Sequence, residues 1–372
     1  MKSPPAAPDT GRAPELPDAA GAPAAAIVWP DAQRRAAFEQ WLAAIAARHG
    51  LQPHTLRAAS ADASFRRYFR IDAQGGSRII MDAPPPLEDV RPFVQVAQAI
   101  QAAGLNGPPV LECDAELGFV LLGDLGRELY LDALQQADAA RADVLMRDAI
   151  DALVQWQLKV PALSLPPYDE ALLRRELELF PQWCVQREFG RHWDEAAAAR
   201  WHKVCRLLID SALAQPTVAV HRDWMPRNLM VAAPNPGILD FQDAVRGPLS
   251  YDVASLLRDA FISWDEEREI DWAVRYWSCA KAGGVPLGEA FAADFGEFWR
   301  ALEWMGLQRH LKVLGIFCRL KHRDGKPAYA ADLPRFFGYA TRVASRYAPL
   351  RPLLGLLEPL SGLRETTAYS MR

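Results

Sequence analysis

Strand-forming patterns in this chain are confined to two blocks, and that confinement restricts the fold more than any other feature of the sequence. In the first block, SFRRYFRI (residues 64–71) puts Phe65, Arg67, Phe69 and Ile71 on one face, a Gly75-Gly76 turn follows, and RIIMD (78–82) returns. Pro84, Pro85 and Pro86 stop this meander, a helix is predicted over residues 87–103, and PPVLEC and GFVLLGD read as two more strands joined by an acidic turn. The second block, residues 217–243, is shorter, with the apolar runs VAV, LMV and GIL alternating with polar clusters. The remaining periodic segments are helical. Asp31 is placed to cap a helix that buries Phe38, Trp41, Leu42 and Ile45 and stops at Gly50, while Leu145, Ala149, Ile150, Leu153 and Trp156 mark another over about residues 140–159. Helix resumes from Asp252 to Trp264 and in later segments. Antiparallel strands segregated from helices specify an α+β chain rather than an alternating parallel one.

The expected organisation is a Pro/Ala-rich tail over residues 1–26, a small lobe of sheet and helices over 27–122, a hinge at 123–126 and a larger helical lobe over 127–372. With 372 residues, half of them hydrophobic and 24% charged, the chain can build two cores and is far from a disordered composition. Lys and Arg total 42 against 46 Asp and Glu, so no broad positive field favours nucleic acid or an anionic membrane. The five cysteines are widely separated and include no C-x-x-C pair, which points to a reducing cytoplasm rather than a disulfide framework or zinc knuckle. The uncharged run over residues 92–111 holds three Gln, an Asn and three Pro, too polar to span a bilayer. The first 26 residues interrupt every apolar stretch with Pro, Gly or Asp, so no signal-peptide core is read there. No obligate protein partner is inferred.

Charged residues at the ends of short buried strands are placed for chemistry. His221-Arg222-Asp223, Asn228 five residues after the Asp, and Asp240-Phe241 at the end of an apolar run have the spacing of a phosphoryl-transfer loop and its metal-binding strand. An Asp at the mouth of such a loop can orient an attacking hydroxyl and take its proton. An Asn amide oxygen and a second carboxylate are hard oxygen ligands suited to Mg²⁺.

HRDWMPRNLM followed by ILDFQDAVRGPLSYDVASLL resembles the aminoglycoside phosphotransferase and choline kinase superfamily of small-molecule kinases. The short passage from Phe241 to Tyr251-Asp252 leaves no room for a protein-kinase activation loop. Within the superfamily, ASFRRYFR, MDAPP, RPFV, LLGDLG, ELFPQW and HRDWMPRNLM together are similar to the bacterial cell-wall amino-sugar kinases, which phosphorylate N-acetylmuramate and N-acetylglucosamine at the anomeric hydroxyl in peptidoglycan recycling. The resemblance covers the chain from about residue 31 to the end. It implies a protein-kinase-like bilobal fold, ATP and Mg²⁺ as cofactors and a small amino sugar as substrate. By position it implies Asp223 as the catalytic base, Asn228 and Asp240 as metal ligands, and the backbone of Leu122, Gly123, Asp124 and Leu125 as the adenine site. His221 reads as a brace for the loop rather than a participant.

Two departures from the superfamily pattern occur together. Met81 stands near the place of the phosphate-binding Lys, and Phe93-Val94 stand where its Glu partner would fall. Loss of both leaves no unpaired buried charge. Another cation must then meet the phosphates: Arg66 and Arg67 are the candidates, with Arg66 favoured because Arg67 shares the face of Phe65 and Phe69, and an exposed strand charge pair as the alternative. Glu88-Asp89 offers either a displaced partner acid or a helix cap. Ten of the twelve Trp lie from Trp156 onward; most belong to the core, and Trp183 and Trp224 are the candidate walls of a sugar site. Arg227 is a candidate for the γ-phosphate or for the lactyl carboxylate of N-acetylmuramate, or is a surface residue. Kinases of an aminoglycoside, choline or homoserine, and a nucleotide-binding scaffold without catalysis, are the alternatives at this point.

Overall fold

The computed structural model describes residues 27–61, 65–85 and 87–361, so the tail read over residues 1–26 lies outside it. Helix α1 (Ala32–His49) forms where its caps predict: the Asp31 side chain accepts from the Arg34 N–H, and Gly50 closes the helix in the left-handed region at φ 59°. Its apolar stripe of Phe38, Trp41, Leu42 and Ile45 packs on Phe69, Ile71, Ile80, Phe119 and Leu121 of a five-stranded sheet. The strands are β1 (Arg57–Ala61), β2 (Arg67–Ala73), β3 (Gly76–Asp82), β4 (Val110–Asp114) and β5 (Phe119–Gly123), in the antiparallel order β1-β2-β3-β5-β4, with α2 (Arg91–Ala102) between β3 and β4. Pairing of β2 begins at Arg67 opposite Asp82, so Phe65 precedes the strand and is 63% exposed, contrary to the shared face expected of it.

A buried carboxylate fastens α1 to the sheet. Asp82 accepts from Arg34 Nε at 3.0 Å and from Arg67, while Arg67 also donates to the Val28 carbonyl and lies over the Trp29 ring. Two guanidinium partners offset the cost of dehydrating the acid. Helices α3 (Tyr130–Gln136) and α4 (Ala139–Lys159) follow, the latter capped by Asp138 and burying Leu145, Ala149, Ile150, Leu153 and Trp156.

The described chain groups into two compact units, one comprising residues 27–167 and 216–299 and the other 168–215 and 300–361. The second unit begins with α5 (Glu170–Leu177), a π-helical segment (Phe180–Glu188) and α6 (Glu195–Leu213). The first unit then resumes with two short ladders, β6 (Thr217–Val220) against β9 (Val245–Pro248) and β7 (Leu229–Met230) against β8 (Gly237–Ile238). Helix α7 (Tyr251–Leu257) is shorter than the sequence suggested, because Asp259 accepts from the N–H groups of Phe261 and Ile262 and turns the chain. Helices α8 (Glu266–Gly283) and α9 (Gly288–Ala293) complete that unit. Helix α10 (Phe295–His322), α11 (Leu333–Arg346) and α12 (Leu354–Ser361) close the chain.

Within the second unit, Glu176 is a buried carboxylate that receives Tyr168 OH, Gln308 Nε2 at 3.2 Å and Lys312 Nζ at 3.1 Å. All five cysteines are free thiols. No described helix is long and apolar enough to cross a membrane.

Candidate active site

The loop that carries His221, Arg222 and Asp223 leaves β6 at His221. The backbone N–H groups of His221 and Arg222 both donate to the carboxylate of Asp252, at 2.7 and 2.9 Å, and Asp252 is fully buried in the first turn of α7. Arg222 sits in the left-handed region at φ 77°, a conformation that a side-chain-bearing residue holds only when its surroundings impose it. The loop then closes on itself, with Met225 N–H donating to the Asp223 carbonyl and Asn228 N–H to that of Met225. His221 is fully buried, edge-on to Trp156 and Trp224 with ring centroids 5.4 Å away in each case. Burial pushes its pKa down to about 4, so the ring is neutral, and its Nδ1 accepts from the Asp223 N–H at 3.3 Å. With its N–H and C=O thus engaged, half-buried Asp223 keeps a carboxylate that no described residue hydrogen-bonds.

The β7–β8 hairpin brings the two expected metal ligands together. Asn228 precedes β7, Asp240 follows β8, and pairing of Leu229 with Ile238 sets them side by side. Leu239 N–H donates to the Asn228 carbonyl at 2.9 Å, and Asn228 Nδ2 donates to the Asp223 carbonyl at 3.0 Å and to Asp240 Oδ2 at 3.4 Å. Because the amide nitrogen is committed to these acceptors, its oxygen is the atom left for a cation. One carboxylate plus one amide oxygen is the sparse donor set that suits Mg²⁺, which takes its remaining ligands from phosphate and water. Asp223, Asn228 and Asp240 therefore form one hydrogen-bonded group.

Other candidates are placed differently. Met81 is buried in β3 between Tyr68 and Val120, and Phe93 packs on Phe241 with centroids 4.7 Å apart, so apolar contacts surround both residues at the expected Lys and Glu places. Arg66 Nε pairs with Glu88 Oε2 at 3.1 Å in a largely buried contact. Arg67 is engaged by Asp82, Val28 and Trp29. In the segment expected to be a hinge, Leu122 and Gly123 belong to the β5 ladder, and a Cβ on Gly123 would lie 2.6 Å from the Pro109 ring. The Asp124 side chain is held by Arg70, Ser77 and the Gly126 N–H, which outweigh burial and keep its carboxyl below the usual range. That side chain braces the segment 123–126, whereas no hydrogen bond to a described residue occupies the Leu125 N–H.

Trp224 is fully buried against His221 and Trp156, so its ring is core and offers no wall to a sugar. Trp183 lies half-buried on the π-helical segment of the second unit. Arg227 is exposed, its guanidinium 4.9 Å above the Phe261 ring.

Sequence reasoning missed Asp252, Gln242 and Arg70. An acid inside the apolar run YDVASLL was the available signal for Asp252, since a carboxylate there must be buried with a partner. Gln242, which donates to Asp240 Oδ1 at 2.8 Å, left no local pattern.

Residues 55–305 match the model of the phosphotransferase enzyme family. The chain is 53% identical to an N-acetylmuramate/N-acetylglucosamine kinase of Pseudomonas putida over 82% of its length and 88% of the relative. It is 45% identical to a protein of the same name from Neisseria meningitidis over 90% and 98%. Among solved structures, a choline kinase from Cryptosporidium parvum shares the fold with a TM-score of 0.57 at 9% identity, covering 86% of this chain and 99% of that one. The small antiparallel sheet, the mostly helical remainder and the matched domain make this chain a member of the phosphotransferase enzyme family with its protein-kinase-like fold.

Proposed function

We propose that the chain is an ATP- and Mg²⁺-dependent kinase that phosphorylates the anomeric (C1) hydroxyl of N-acetylmuramate and N-acetylglucosamine, acting in the cytoplasm in peptidoglycan recycling. The observation that carries this reading is the 45–53% identity to kinases named for these two sugars over most of the chain. The joined Asp223, Asn228 and Asp240 support catalysis over a decayed nucleotide-binding scaffold.

In this reading the Asp223 carboxylate orients the sugar C1 hydroxyl and takes its proton late, as a loose phosphoryl transition state allows. The Asn228 amide oxygen and the Asp240 carboxylate hold Mg²⁺, which neutralises charge on the nucleotide's phosphates. Arg66, kept in place by Glu88, supplies the cation that Met81 cannot, and the backbone of Asp124 and Leu125 meets adenine. Arg227 pairs with the γ-phosphate or with the lactyl carboxylate. A rise in KM for N-acetylmuramate alone in Arg227→Ala selects the second.

The test is acceptor-dependent ADP release with ATP, Mg²⁺ and a panel of sugars. Both amino sugars should be phosphorylated, giving an acid-labile product that no longer reduces copper reagents, and the methyl glycoside of N-acetylglucosamine should be inert. Asp223→Ala should abolish turnover and keep Mg-ATP binding, whereas Asp240→Ala should lose both. Phosphorylation of the methyl glycoside, or a product that stays reducing, moves the chemistry to another hydroxyl.

A further inference from the structure

Asp240 meets the chain at a difficult place. Its backbone is left-handed at φ 61°, a region that few residues besides Gly, Asn and Asp enter. The flanking backbone is pinned, by Leu239 N–H on the Asn228 carbonyl on one side and by Ala244 N–H on the Phe241 carbonyl on the other. The Phe241 ring is buried against Phe93. These contacts place the Asp240 Cα, but they do not set the rotation of its carboxylate.

That rotation is restrained by a donor on each oxygen. Asn228 Nδ2 is 3.4 Å from Oδ2, a long contact, whereas Gln242 Nε2 is 2.8 Å from Oδ1. The Gln242 amide makes no other hydrogen bond among the described residues, and its Oε1 is buried without a donor. Its polar interaction therefore falls on Asp240 alone. A neutral amide suits this position, because a Lys or Arg donor would repel the cation that the carboxylate is to hold, and an Asp or Glu would have no proton to donate. Donors to metal-ligating carboxylates fix ligand orientation, and removing one typically weakens metal binding about 10- to 100-fold.

We propose that Gln242 is a positioning residue that sets the Asp240 carboxylate for the divalent cation; this rests on Asp240 being a metal ligand, as in the proposed function. The test is Gln242→Leu in the full chain, with manganese(II) binding in the presence of ADP followed by electron paramagnetic resonance, beside metal-free ADP binding and thermal melting. The expected result is a Kd for manganese(II) raised about 10-fold or more, with metal-free ADP affinity unchanged. In turnover the magnesium concentration for half-maximal velocity should rise while KM for the sugar stays put. Gln242→Met, which keeps the unbranched shape, carries the same expectation should the Leu variant not fold. Wild-type manganese(II) affinity in either variant, with or without a lowered melting temperature, assigns Gln242 to packing and overturns the inference. Failure of the wild-type protein itself to bind manganese(II) with ADP overturns the metal-site reading on which it rests.

Discussion

Asp252→Asn is the sharpest probe of how the loop that carries Asp223 is built. The wild-type carboxylate accepts two backbone N–H groups at 2.7 and 2.9 Å with no exposure to water. The amide keeps one acceptor oxygen and sets an NH₂ against the other N–H. One charge-assisted bond, about 1.5–3 kcal/mol, is lost, and a buried donor is left unsatisfied at about 1–3 kcal/mol. A combined loss of about 2.5–6 kcal/mol corresponds to a fall in melting temperature of roughly 5–24 °C for a unit of this size, at about 2–4 °C per kcal/mol. The kinetic consequence follows from Arg222, whose left-handed backbone is held by one of the same two bonds. Its relaxation displaces Asp223, and a shift of about 1 Å at a reacting group costs about 100-fold in rate. Denaturant unfolding and steady-state kinetics on the same preparation measure both. A stable variant with wild-type kcat would show that Asp252 does not hold the loop, and a destabilised one with wild-type kcat would show that Asp223 is placed by other contacts.

His221 is a base whose folded pKa, about 4, lies below its unfolded value near 6.5, so its contribution to stability is complete above pH 6.5 and is lost as pH falls toward 4. The loss should be on the order of 3 kcal/mol. Chemical denaturation at several pH values should give a flatter profile in this window for His221→Gln than for wild type, and parallel profiles would refute the buried neutral ring. Arg66→Ala should raise KM for ATP by roughly 10-fold or more, the worth of a charge-assisted contact to phosphate, and KM for sugar much less. Unchanged ATP kinetics would place the substitute cation elsewhere.

Features encoded by neighbouring residues are legible in the sequence alone. Helix α1 announces its start with Asp31, its stop with Gly50 and its buried face with a period of 3.6, all within about five turns of chain. The spacing of Asp223, Asn228 and Asp240 is legible for the same reason: a tight loop followed by a short hairpin holds them near one another along the chain. Strand β1 falls inside the strand-rich stretch read from Leu56 to Asp82 but has no apolar alternation of its own, and β9, VRGP, gives no signal at all; they exist through pairing with β2 and β6. What only tertiary structure decides are the partnerships between distant residues. Arg67 stands as a phosphate candidate behind Arg66 until Asp82 and Trp29 engage it, and Trp224 is a candidate sugar platform until Trp156 and His221 enclose it. Asp252 stands thirty residues beyond Arg222, the residue it helps to hold. Periodicity and capping report which face of a segment is buried, but they carry no information on what it is buried against. A charged group's role is set by the partner that meets it there.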